Sequence, residues 1–194
     1  MNHRLEAQFA FLNEADRLKS VLRATTLNDA SRPENSAEHS WHLALYAMVL
    51  ADHAASGVDI TRVIRMLILH DLVEIDTGDV PIHSAGGQAH ASAETIAAEQ
   101  AAADRIFGLL PPDLRDSFRA LWVEFEAAIT PDAVYAKSLD RLQPVMANLM
   151  SGGGTWTTYG VTLEQLDVRV GAKVARGAPA LWGFVRRRAL SFFR

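Results

Sequence analysis

The chain has 194 residues, 49% of them apolar and 22% charged, enough to pack a single core and too apolar for a disordered segment. A formal charge of -4 leaves no surplus of cations for a phosphate backbone, so nucleic acid is not an expected partner. The absence of cysteine rules out disulfides, thiolate nucleophiles and Cys-ligated zinc, and leaves His and carboxylates for any metal site.

The opening MNHRLEAQFAFLNEADRLK carries acids throughout, unlike a signal peptide, and no run of about 18 apolar residues follows, so a cytoplasmic location is expected and a membrane span is not. From about His3 to Leu22, Leu5, Phe9, Leu12, Ala15 and Leu18 recur at helical spacing and predict an amphipathic helix with that stripe inward. The turn-rich TTLNDASRPENS ends in Asn35 with Glu38 three residues on, a capping-box signal for a second helix over about Ser36 to Ala55. Asp59 caps a third, whose stripe Ile60, Val63, Ile64 and Leu67 runs on toward Glu74.

The segment IDTGDVPIHSAGGQAH lacks apolar periodicity and reads as an ordered loop. An Ala-rich helix from about Ala91 to Phe107 follows, and Pro111-Pro112 opens another that groups Leu114, Phe118, Leu121, Trp122 and Phe125. Thr130-Pro131 begins a long helix to about Met150 with a bend expected at Pro144, and GGGTWTTYG interrupts the pattern. Thr162 and Gln165 form a second capping box before a C-terminal helical pair. No strand alternation, repeat or domain boundary is evident, so the expectation is one all-α helical bundle over 1–194.

The third helix carries the most informative fact. Its apolar stripe leads directly into His70, Asp71 and Glu74 on one side, so three ionisable groups in succession face inward. Burying such groups without partners costs several times what a hydrogen bond returns. A divalent cation would compensate, and so would an arginine paired with the carboxylates, with His70 a hydrogen-bonded core residue. His39, before an almost wholly apolar run, also points inward, although a lone histidine there has an ordinary structural reading. Asp140 in YAKSLDRLQP is equally open to local ion pairing.

Together, EHS at 38–40, HDLVEIDTGDVP at 70–81 and KSLDRL at 137–142 resemble the H...HD...D blocks of the HD superfamily of metal-dependent phosphohydrolases, in particular its bacterial 5'-deoxynucleotidase branch and eukaryotic relatives. The likeness spans roughly the first 150 residues, with the metal-site motifs within 36–142 and further helices after 160. It implies an HD-type bundle, a homodimer, His39, His70, Asp71 and Asp140 as ligands of one divalent ion per chain, Glu74 as the carboxylate near the attacking water, and Asp79 as a second acidic site residue. A mixed N/O set of this kind suits Mn, Co, Fe, Ni or Zn, with Mg also open.

A phosphomonoester needs a cation for its non-bridging oxygens. Arg23, in LKSVLRATTL, resembles the arginine that the deoxynucleotidases carry at the mouth of the site, although the aromatic residue that often follows it is Ala24 here. Lys137 and Arg141 flank Asp140 and are secondary candidates. Trp156 and Tyr159 offer a base-stacking lid or, alternatively, anchors of their loop; His83 and His90 are candidates for a second metal or are solvated loop residues. The expected reaction is hydrolysis of a (deoxy)nucleoside 5'-monophosphate, with phosphodiester or pyrophosphate cleavage and a non-catalytic metal-braced regulator as the rivals.

Overall fold

The computed structural model describes residues 2–87, 89 and 92–193. Its helices are α1 (His3–Ala15), α2 (Ser36–Val49), α3 (Ile60–Leu69), α4 (Glu74–Thr77), α5 (Ala93–Phe107), α6 (Pro112–Ala127), α7 (Pro131–Met150), α8 (Gly154–Thr158), α9 (Leu163–Leu166), α10 (Ala172–Gly177) and α11 (Pro179–Phe192). α7 is the central post: it packs against α2, α3, α6, α10 and α11, and it buries Tyr135, Leu139, Leu142 and Val145. Among the described residues no helix is long and apolar enough to cross a membrane.

The caps fall where side-chain chemistry requires them. Asn35 accepts from the Glu38 backbone while Glu38 reaches back to the Asn35 amide, so both orphan donors at the start of α2 are satisfied. Asp59 accepts from the amides of Thr61 and Arg62 at the head of α3. Pro112 and Pro131 sit in the first turns of α6 and α7, where a missing N–H costs nothing. Thr162 and Gln165 close a second capping box on α9.

Two expectations fail near the N-terminus. The helix predicted to Leu22 ends at Ala15, passes through a 3-10 turn over Asp16–Ser20, and gives way to a strand, β1 (Leu22–Thr26). β1 pairs antiparallel with β2 (Pro33–Asn35), with an irregular register between Leu22 and Thr26. The all-α class holds, but this hairpin carries no alternating pattern long enough to announce itself. The expected stripe holds only at its end: Leu18, in the 3-10 turn, enters the core as expected, whereas Leu5, Phe9 and Leu12 on α1 are 48%, 61% and 58% exposed and Phe11 is buried in their place. Phe11 packs its ring against Phe107 and Phe118, and one bulky aromatic held this way sets the rotation of the helix against the weaker aliphatic stripe.

α3 also stops short of its expected end. After Leu69 the backbone tightens into a 3-10 turn over His70–Val73 before α4, which ends at Gly78 with φ 71. α2 likewise ends at Val49, with a 3-10 turn over Ala51–His53 beyond it. The GGGTWTTYG segment is ordered: Asn148 binds both the Thr155 amide and its hydroxyl. A Cβ on Gly154, whose φ is 40, would stand 2.4 Å from the Asn148 carbonyl oxygen, so only glycine lets the chain pass there.

Candidate active site

Three separate parts of the chain deliver the central cluster. His39 comes from the first turn of α2, His70 and Asp71 from the 3-10 turn after α3, and Asp140 from the middle of α7. All four are buried. Ligand atoms of His39, His70 and Asp71 lie within 4.8 Å of one another. Asp140 Oδ1 stands 3.3 Å from His39 Nε2 and 3.7 Å from His70 Nε2, and Asp71 Oδ1 is 2.8 Å from His70 Nε2.

The hydrogen bonds on the far side of each ring fix what these atoms are. His70 Nδ1 donates to the Leu67 carbonyl at 2.8 Å, so in the neutral ring Nε2 carries a lone pair. His39 Nδ1 faces two acceptors, Gln143 Oε1 at 3.1 Å and Glu34 Oε1 at 3.2 Å, so it too bears the hydrogen and Nε2 is free to ligate. Both lone pairs therefore converge on carboxylate oxygens, and His70 Nε2 is a buried atom without a hydrogen-bond partner. Either a proton or a cation must sit between them. Burial alone would lower the His70 pKa, but the adjacent Asp71 and Asp140 carboxylates push it up to about 10. Arg141 and the two imidazoles overcome burial and hold Asp140 well below the usual carboxylate range.

Charge counting favours the cation. Carboxyl groups of Glu34, Asp71, Glu74, Asp79 and Asp140 face the guanidiniums of Arg23 and Arg141; without an ion the balance requires protons on the imidazoles and on Glu74, and a divalent cation would replace them. Donor atoms about 2.1 Å from one ion stand roughly 3–4 Å apart, and Asp140 Oδ1 lies at that spacing from both His39 Nε2, 3.3 Å, and His70 Nε2, 3.7 Å. The residues fit a divalent metal.

The hairpin supplies the opposite wall. Arg23 NH1 lies 2.9 Å from Asp71 Oδ2, 3.5 Å from Glu74 Oε1 and 3.6 Å from Asp79 Oδ1. It is thus embedded among carboxylates, rather than standing free at the mouth. Glu74 accepts from Ser36 Oγ at 2.5 Å through Oε2, which turns Oε1 toward Arg23. Burial and then the Asp71 charge raise the Glu74 carboxyl to about 8. Asp79 accepts from the Ala24 amide at 3.2 Å, which ties the loop after α4 to β1.

A cavity of about 90 Å³ opens between these walls, lined among others by Arg23, Glu74, Asp79, Lys137, Asp140 and Arg141. Lys137 pairs with Glu126 at 2.9 Å and lies 4.0 Å above the Phe125 ring, so its charge is held at the rim. His83 lines the cavity as well, 3.5 Å from Arg169; burial, with Arg169 and Arg141 nearby, lowers its pKa to about 4. His90 lies outside the described residues. Trp156 is 2% exposed and packs on Phe192 and Phe193, so it anchors its loop and touches the cavity only as wall. His42 and His53 lie on a separate apolar groove between α2, α7 and α11.

Sequence reading missed Glu34, Ser36 and Gln143, which hold His39 and Glu74 in place. Gln143 had a usable signal, since it is one helical turn from Asp140; Glu34, in an irregular turn-like stretch, had none.

An HD domain model matches residues 15–182. The chain is 29% identical over 145 residues to the human 5'-deoxynucleotidase HDDC2, covering 74% of this chain and 68% of that one. It is 30% identical over 148 residues to the 5'-deoxynucleotidase YfbR of Salmonella paratyphi B, covering 70% and 74%. The match spans about two thirds of the animal relatives' length, 65% for the mouse protein. A crystal structure of a protein from Magnetospirillum magnetotacticum, described as a predicted metal-dependent phosphohydrolase, superposes with TM-score 0.90 at 44% identity over 98% of this chain and 96% of that one. With a family match over most of its length and the HD doublet at His70 and Asp71 in the buried cluster, the chain belongs to the HD-domain family.

Proposed function

We propose that this protein is a metal-dependent phosphohydrolase that cleaves (deoxy)nucleoside 5'-monophosphates to nucleoside and phosphate in the cytoplasm, with one divalent ion per chain (Mn, Co, Fe, Ni, Zn or Mg) held by His39, His70, Asp71 and Asp140. The observation that carries the reading is the pair of imidazole Nε2 atoms turned onto buried carboxylates with an arginine and a further carboxylate beside them. The names of the similar human and Salmonella proteins support the nucleotide substrate.

A divalent ion held there would supply positive charge to the phosphoryl group and acidify water. Glu74 takes the proton of the attacking water at Oε1, because Ser36 occupies Oε2. Arg23 offers its guanidinium to the phosphate oxygens from the hairpin side, while Asp79 holds Arg23 and the Ala24 amide in register. Lys137 and Arg141 contribute positive field from the rim. The enclosed cavity suits the phosphoryl end, so the nucleoside occupies the mouth. A homodimer is consistent with the exposed apolar side chains Trp41, Leu45, Met48 and Val49 on α2 beside Phe184 on α11.

The deciding experiment is a metal-by-substrate screen of Mn, Co, Mg and Zn against nucleoside monophosphates, sugar phosphates and cyclic nucleotides. Release of inorganic phosphate from a nucleoside monophosphate is the expected result. Release of a nucleotide from a diester or triphosphate alone would replace this reading with its phosphodiesterase or pyrophosphohydrolase rival, and no turnover with metal bound would favour the regulator.

A further inference from the structure

The two imidazoles of the cluster are braced differently. His70 leans on a backbone carbonyl, which no side-chain change can remove. His39 is hydrogen-bonded to Gln143 and has beside the same nitrogen Glu34, a buried residue of β2 that shares Arg23 with Asp71, Glu74 and Asp79. Its Oε2 accepts a hydrogen bond from Gln143 Nε2 at 3.2 Å, while Oε1, buried and without a hydrogen-bond partner, stands at ion-pair distance from His39 Nδ1, 3.2 Å, and Arg23 Nε, 3.5 Å.

We infer that Glu34 is a positioning residue with two jobs, holding His39 with Nε2 toward the metal position and anchoring Arg23 against the phosphate position. This rests on the metal-dependent phosphohydrolase reading above. A carboxylate on the outer nitrogen of a ligating imidazole raises its basicity and fixes its tautomer, and removing such a partner costs about 10–100-fold in metal affinity. Here the same carboxylate also grips the cation that meets the substrate anion, so the hairpin and α2 are set against each other by one side chain. Loss of the carboxylate therefore weakens both ends of the site. A glutamine in its place has one accepting oxygen for three donors, with its volume unchanged.

The test is Mn²⁺ binding to metal-free protein, followed by electron paramagnetic resonance of the free ion, together with KM for a nucleoside monophosphate at saturating Mn²⁺. Glu34→Gln should bind Mn²⁺ about 10–100-fold more weakly than wild type and show a several-fold higher KM. In an Arg23→Ala background, Glu34→Gln should weaken Mn²⁺ binding as before and leave KM where Arg23→Ala put it, because the effect on substrate passes through Arg23. A residue that merely supports the hairpin would raise KM by the same factor in both backgrounds. Mn²⁺ affinity within about twofold of wild type, or KM effects that multiply, overturns the inference. Should Glu34→Gln fail to fold, Glu34→Asp keeps the charge while drawing the carboxylate back from His39 and Arg23, and a smaller loss of Mn²⁺ affinity is expected; unchanged affinity overturns it. Wild-type protein that takes up no divalent ion overturns the underlying reading, and this inference with it, whereas tight wild-type binding with an indifferent Glu34→Gln overturns the inference alone.

Discussion

The cavity has two walls made by different means. One is helical: His39, His70, Asp71 and Asp140 project from elements that pack on α7, and every polar atom is held by an element that also carries core residues. The other is the β1–β2 hairpin with the loop after α4, where Arg23, Glu34 and Asp79 are held by charged and polar contacts, with one another and with Asp71, His39 and Gln143 across the cavity. The helical wall gets its precision from packing, and the hairpin wall from a network of opposite charges. Changes to the first should therefore cost ion binding outright, while changes to Arg23 or Asp79 in the second should alter substrate affinity with the fold and the ion retained; Glu34, which reaches His39, is where the two walls join.

The largest effect belongs to the helical wall. Chelation should reduce turnover to background, and a transition metal should restore it; Asp140→Ala should lower metal occupancy to match. An ion bound at a hundredfold excess over its Kd contributes about 2.7 kcal/mol, so chelation should also lower the thermal midpoint by roughly 5–10 °C. Full activity with chelator present would break the comparison at its base. Next comes Glu74→Gln, which removes the proton acceptor while keeping shape: turnover should fall by about 10²–10⁴-fold with metal content unchanged. Bound metal and single-turnover rate on one preparation check this, and loss of metal alongside activity would move Glu74 into the ligand set.

Arg23→Ala probes the hairpin wall. Hydrogen bonds to charged groups contribute about 1.5–3 kcal/mol, so KM should rise by roughly 10–100-fold. Metal should be retained, because removing a guanidinium 2.9 Å from Asp71 leaves the cluster more negative and more attractive to a cation. A parallel loss of bound metal would mean that the hairpin braces the ligands and the two walls are one unit.

The two walls also differ in how far sequence revealed them. His70 and Asp71 were legible because ionisable residues directly behind an apolar stripe must be compensated, and His39 and Asp140 became meaningful through their likeness to a known set of blocks. The caps at Asn35, Asp59, Thr130 and Thr162 were legible because each satisfies an orphan backbone donor at a fixed offset. The hairpin was not, since strands of five and three residues separated by turn formers have no period to detect. For the same reason Arg23 was identified only by likeness; an arginine paired with Asp71 and Glu74 was an open alternative, and nothing in the sequence marked Arg23 as that arginine. The outward turn of Leu5, Phe9 and Leu12 was missed because α1 carries apolar residues on two sides, and only contact with Phe107 and Phe118 decides between them.

The rim of the cavity belongs to neither wall, and its effect should be the smallest. Glu99 of α5 lines the cavity near Glu126 and Lys137. Burial and then the Glu126 charge push its carboxyl up to about 7, with Lys137 pulling the other way. A group whose pKa is raised on folding favours the folded state while protonated, so that contribution is complete below about pH 4.5 and is lost as pH rises through about 7. Glu99 is only partly buried, so solvent screens the effect and the shift should be modest. Glu99→Gln mimics the protonated form at every pH. Its thermal midpoint should match wild type near pH 4.5 and exceed it at pH 8, with metal content unaltered. Equal midpoints at both values would show that Glu99 is as well solvated in the folded chain as in the unfolded one. A midpoint lowered at pH 8 would show instead that the Glu99 carboxylate is stabilised by Lys137, making the rim a third charge-matched region akin to the hairpin.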